Sequence, residues 1–250
     1  MKNSIKHSLM SAVIVVAAAT SFAEGSYPVA IMDRPGSLDL GQVEVIGEFD
    51  TKPTASAVDP TLSAKVKVGV GKGFQLNLAY DGLNMGNMEV SEVFHVGMRR
   101  SLLSVGDYSM STSFDLPIHF KGQAIQNVRA GLSQGYLFTE GLAISALRGK
   151  LVDVKFGPKV ELELNVPVEL AFQATENVYL ELGTNFANLH TQNMKASSYI
   201  WTKTPVDFSV TYAFNNIVDV SVKAGFENAQ KPKDTFVAGL GVAFRAGDLG

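Results

Sequence analysis

The stretch "VELELNVPVELAF", Val160 to Phe172, decides the fold, because it alternates apolar and mostly polar residues over thirteen positions. Successive side chains of an extended strand point to opposite faces. Val160, Leu162, Leu164, Val166, Val168, Leu170 and Phe172 therefore share one face, and Glu161, Glu163, Asn165, Pro167, Glu169 and Ala171 the other. A soluble sheet turns its valines and leucines inward, whereas a membrane barrel turns them out to lipid. Alternation alone does not choose between the two.

The N-terminus narrows the choice. Lys2 and Lys6 precede an apolar run from about Leu9 to Ala19, and the small residues Ser21 and Ala23 stand just before Glu24. This is the layout of a secretory signal peptide over residues 1–23, with a core too short for a transmembrane helix. Residues 24–250 then form one domain, with no internal repeat or linker to divide them. Without the leader the chain carries 19 basic and 24 acidic residues, a formal charge of −5. That acidity argues against a nucleic-acid partner, which needs a concentrated basic patch. The absence of cysteine excludes disulfides, thiolate metal sites and a lipoprotein anchor. No later apolar segment reaches about 20 residues, so any membrane role falls to strands.

The same alternation recurs along the chain. "LDLGQVEVIGEF" reads as a first strand with a bulge at Gly41 and Gln42, after an irregular lead-in, "MDRPGS". "LSAKVKVGVG" and "FQLNLAY" follow around a tight "GKG" hairpin, which is a better reading of those glycines than a phosphate loop, since no helix follows. Further pairs flank "SVGD", "TEG", "QATEN" and "NNI", and "DTFVAGLGVAF" ends the series. The expected count is twelve strands. Between Gln126 and Lys159 the residues Gln134, Arg148 and Lys150 break parity, so a helix or bulged strands could intervene. Short turns fall on one rim, and longer polar connections (51–60, 82–91, 188–204, 227–233) on the other. An even number of antiparallel strands with that asymmetry describes an outer-membrane barrel.

Twelve strands closed around an apolar lumen would leave a void that side chains do not fill, which tells against a closed soluble barrel. A two-sheet soluble sandwich could still bury these faces, and three features, the last of them in the final strand, favour lipid outside. Aromatics end the apolar faces: Phe74, Tyr80, Tyr108, Phe120, Phe156, Phe172, Phe214 and Phe226 stand where interfacial girdles form. The polar face mixes both signs with serine and glycine, and its charged residues are the candidate pore lining: Lys65, Lys67, Arg99, Arg129, Glu161, Glu163, Glu169, Glu181, Asp115, Asp207 and Lys223. Lys65 and Lys67, taken with Glu161 and Glu163, could build a charged constriction or internal ion pairs that plug the lumen.

In the last strand Gly239, Val242 and Phe244 match a glycine, hydrophobic, aromatic spacing that resembles the C-terminal signal of bacterial outer-membrane β-barrel proteins. Those chains commonly end on the aromatic, whereas "RAGDLG" follows Phe244 here. The resemblance covers the mature chain as a strand pattern. It implies an all-β, closed antiparallel transmembrane barrel in the outer membrane, porin-like, with lipid and the barrel-insertion machinery as partners and small solutes as possible cargo. It implies no particular activity and no cofactor. His95 and His119 share the lumen parity of neighbouring strands near Asp115, and His190 stands in the longest loop. A metal or acid–base site needs a further convergent group, and no ligand spacing or hydrolase motif supplies one. An enzyme working at the rim and a secreted soluble β protein are the competing readings.

Overall fold

The computed structural model describes residues 28–247, apart from 35, 54–57, 122–124, 148–150, 158–159 and 191–204. The expected signal peptide, 1–23, and most of the longest loop lie outside the described residues. Fourteen strands form one antiparallel sheet: β1 (Val43–Pro53), β2 (Val58–Gly71), β3 (Phe74–Asn84), β4 (Glu89–Val90), β5 (Val93–Val105), β6 (Tyr108–His119) and β7 (Asn127–Thr139), then β8 (Leu142–Ala146), β9 (Val152–Lys155), β10 (Glu161–Gln173), β11 (Val178–His190), β12 (Val206–Ala213), β13 (Val218–Phe226) and β14 (Phe236–Ala246). β4 is a two-residue return on the end of β3, and β8 and β9 are two halves of one wall strand. The wall thus has twelve strands. It closes because β14 pairs with β1, from Val43–Ala246 to Thr51–Ala238. Closure leaves no edge, so the backbone groups of the wall are paired within it, as hydrocarbon demands.

The alternation read from the sequence sets the two faces. Leu76, Leu78, Val96, Met98, Leu170, Phe172, Leu182, Phe208, Val222 and Leu240 are exposed on the outside. The buried set is mostly polar, including Glu44, Gln75, Ser111, Asn127, Asp153, Asp219 and Arg245. A water-soluble domain has the reverse distribution. Rings at the ends of the apolar band pack edge to face, as in Tyr136–Phe138 and Tyr212–Phe214.

Three departures from simple alternation have local causes. On β5 a bulge between Ser101 and Leu103 leaves Leu102 unpaired, so Leu102 and Leu103 both face out. On β11 an extra residue falls between Asn185 and Asn188 opposite Asn165 and Pro167. There the Asn185 side chain accepts the Val166 N–H at 3.0 Å and replaces the missing ladder bond. The third lies between 126 and 159. β7 is one continuous strand, and the next strand breaks: Ala146 and Val152 pair with Val168 and Leu164 of β10, so six steps along one strand match four along the other. Two extra residues preserve parity, which is why the faces agree on both sides. Pairing runs to Ala146 and resumes at Val152, and Arg148 and Lys150 lie outside the described residues between them. Leu147 turns at φ 62°, and its N–H donates to the Pro167 carbonyl at 2.8 Å. Gln134 does face outward, near the short-turn rim, where it accepts the Tyr108 hydroxyl at 3.3 Å.

The expected first strand needs correction. Residues 38–42 form a turn, with Gly41 at φ +83°, and β1 begins at Val43. The lead-in before it, including a single 3₁₀ turn at Ile31–Asp33, folds into the barrel mouth at the short-turn end.

Candidate functional site: the lumen

Every candidate pore residue lies on an inward position of its strand by register, but the partners differ from those suggested by sequence. Lys65 and Lys67 do not meet Glu161 and Glu163. β2 and β10 stand six wall strands apart in either direction, which puts them on opposite sides, and Lys67 lies near the short-turn end while Glu161 and Glu163 lie near the long-loop end. Alternation assigns a face but says nothing about what lies across the lumen. Lys67 instead donates to Glu44 of β1, and Glu163 pairs with Lys155 of β9 at 2.6 Å. Lys65 sits between Ile46 and Ala79 of the flanking strands, and Glu161 stands beside Lys155 in register.

Three charge groups result. At the short-turn end Asp219 of β13 accepts from Arg245 of β14 and from Arg34 of the lead-in, each at 2.5 Å, and Arg245 reaches Glu44 at 2.7 Å. These four side chains are all at least nine-tenths buried. Such a cluster is held by mutual compensation, since a buried charge without its partner is costly. Midway along the wall Glu169 accepts from Ser145 at 3.1 Å and Glu181 from Ser209 at 3.4 Å. Gly183 separates Glu169 from Asp207 in register. Lys223 pairs with Glu48 across β14, and Arg99 donates to the Ser111 hydroxyl at 3.0 Å.

The third group lines a vestibule toward the long loops. His95 lies between Asp115 at 3.0 Å and Asp81 at 2.9 Å, and Arg129 joins Asp115 at 3.4 Å to Asp153 at 3.3 Å. Asn127 donates to Asp153 at 2.9 Å. The histidine belongs to a polar network, and among the described residues no three side chains gather that could hold a metal ion. His119 lines the same vestibule; His190 ends β11, and its side chain is not among those described. The vestibule has a volume of about 910 Å³ and is bordered by Asn165, Asn185, Pro167 and Phe156 as well.

At the other end residues 28–42, residue 35 apart, run across the mouth. The Met32 N–H donates to Gln173 of β10 at 3.2 Å, Arg34 reaches β13, and the Leu38 N–H donates to Gln75 of β3 at 3.0 Å. Ser37 and Leu38 are each only 5% exposed. Sequence reasoning missed Arg34, Glu44, Glu48 and Arg245. Glu44 and Glu48 carry a legible signal, the inward parity of "VEVIGEF"; Arg34 sits in an irregular stretch that has none.

The class defined by this architecture is a membrane-type β-barrel, apolar outside and polar within, and the chain has the fold of outer-membrane porins. No family model matches the chain, and no curated protein matches it in sequence. Among solved structures it is similar to the KdgM porin, with 12% identity, a TM-score of 0.59, and coverage of 80% of this chain and 98% of that one. KdgM also occurs in complex with disordered oligogalacturonate, with a TM-score of 0.55 and 13% identity over 81% of this chain and 98% of that one. The NanC porin matches at 9% identity and TM-score 0.58, over 81% of this chain and 98% of its own. The COG4313 outer-membrane channel of Pseudomonas putida F1 matches at 10% and 0.50, over 84% and 98%. At these identities the likeness is one of fold.

Proposed function

We propose that the protein is a passive outer-membrane channel for small hydrophilic solutes, exported by residues 1–23 and oriented with the long loops outward. The observation that carries this reading is the inverted distribution of residues: valines, leucines and aromatics outside, carboxylates, amines and amides inside. Such a wall suits lipid and encloses water. Solute passage in the porins of the same fold, KdgM among them, lends support.

The cargo follows from charge. On the described inner wall acidic side chains outnumber basic ones, and Glu169 and Glu181, on the face they share with Asp207, accept hydrogen bonds from the Ser145 and Ser209 hydroxyls. Rings and patches of carboxylate favour cations over anions. Small cations and uncharged solutes therefore pass more readily than anions, in contrast to the oligogalacturonate that accompanies KdgM. The test is a planar-bilayer recording of the purified protein in a salt gradient. Discrete currents with a cation-directed reversal potential support the reading; an anion-directed potential, or a folded, membrane-inserted protein that passes no current even with the lead-in segment unseated, overturns it.

A further inference from the structure

We infer that residues 28–34 and 36–42 are a tethered gate, seated here in its closed position across the short-turn mouth of the channel. The inference rests on the channel reading above. The segment touches the wall all round: Gln173 of β10, Asp219 of β13, Gln75 of β3, and β2 through two backbone bonds, Gly41 N–H to Gly69 at 3.0 Å and Gly69 N–H to Gln42 at 2.8 Å. Gly36 lies against β5, where a Cβ built on it would stand 3.7 Å from the Ser101 hydroxyl.

Two features distinguish this from an incidental fold of a terminus. The first is Gly69, an inward position of β2. A Cβ there would fall 1.7 Å from the Asp39 carbonyl oxygen and 2.8 Å from that of Leu38. The wall is bare where the backbone of Leu38 and Asp39 lies on it, and a side chain there would displace that backbone. The second is the nature of the hold. Among its described residues Leu38 is the buried apolar side chain, the contacts named above are an ion pair and hydrogen bonds, and the segment enters no ladder beyond its last residues. Gly41, at φ +83°, lies where it joins β1. Segments with few buried apolar contacts sit at the low end of local stability. The gate therefore opens by swinging away as a unit, and a wall closed by β1 and β14 does not depend on it.

The test uses the absence of native cysteine. In the full chain carrying Gly36→Cys and Ser101→Cys, the two thiols stand within reach of each other, since a Cβ at 36 lies 3.7 Å from the side-chain oxygen of 101. Oxidation should lock the segment and lower the conductance several-fold, with recovery on adding dithiothreitol. Gly69→Ala should raise conductance above wild type and, combined with the cysteine pair, reduce cross-linking yield. Failure of the pair to cross-link, or a complete cross-link with equal, non-zero currents in both redox states, overturns the gate and leaves the channel standing. Silence of the reduced protein and of Gly69→Ala alike refutes the channel, and the gate with it.

Discussion

Val222→Arg tests the orientation of the wall. Val222 is 55% exposed at the centre of β13, four residues from Val218 and four from Phe226. At about 3.4 Å per residue and a tilt of about 45°, it stands roughly 10 Å from either end, close to the middle of an apolar band about 25 Å tall. Its neighbours in register are Val210 and Leu240, so an arginine there finds no partner. A cation at that depth costs about 2–4 kcal/mol, or roughly 30- to 700-fold in the folding equilibrium. Ser221→Arg moves the same charge one residue along, to the inner wall, between Thr211 and Gly241 and near Glu48. Folding into lipid vesicles, followed by heat-modifiable gel migration and denaturant titration, reads both variants. Val222→Arg should lose most of its folded fraction at denaturant concentrations that Ser221→Arg survives. Equal losses, or a greater loss for Ser221→Arg, would refute the assignment of faces.

Asp219→Ala leaves Arg34 and Arg245 without their shared carboxylate and should cost about 3–5 kcal/mol in a denaturant titration, far more than Glu181→Gln, at a side chain that accepts from a serine hydroxyl. Glu169→Gln with Asp207→Asn removes two carboxylates facing each other across Gly183 and should move the reversal potential toward zero in a salt gradient; an unchanged potential would remove that wall from the selectivity argument. A short epitope inserted at Asn87, in the exposed turn after β3, should be labelled on intact cells; labelling only after permeabilisation would invert the topology.

What could be read from the sequence was whatever depends on backbone periodicity. Val160 to Phe172 needed only the two-residue repeat of a strand to place Glu161, Glu163 and Glu169 opposite their apolar neighbours, and the short turns needed only their glycines and asparagines. The parity break read between Gln126 and Lys159 coincides with the interruption between β8 and β9, although Arg148 and Lys150 themselves lie outside the described residues. Side-chain partners were not legible. Lys67 stands opposite Glu44 in the β1–β2 register, and Glu163 meets Lys155 across β9 and β10, so both pairings depend on the register between neighbouring strands, which the assignment of faces leaves open. The path of the lead-in was hidden for a different reason: its seat is made of single residues, Gln173, Asp219, Gln75 and Gly69, scattered over the chain and each unremarkable in its own strand.

The buried cluster at the short-turn end links the closing seam to the segment that lies over it. The seam joins nearly the two ends of the described chain, and the entropy of bringing such distant strands together must be offset by what they make on meeting. Glu44 and Arg245 are direct partners in the β1–β14 register and pair on the inner face, while Glu48 reaches past β14 to Lys223 because Gly239 and Gly241 carry no side chains to block it. Arg34 joins this arrangement through Asp219, to which Arg245 already donates. When the segment swings away, Arg245 keeps both carboxylates and the seam keeps its cross-strand pairs. Water entering the mouth then solvates the side of Asp219 that Arg34 leaves. Opening is thus separable from unfolding, and Arg34→Ala should raise conductance while lowering stability less than Asp219→Ala, which strips the gate and the seam of the same carboxylate.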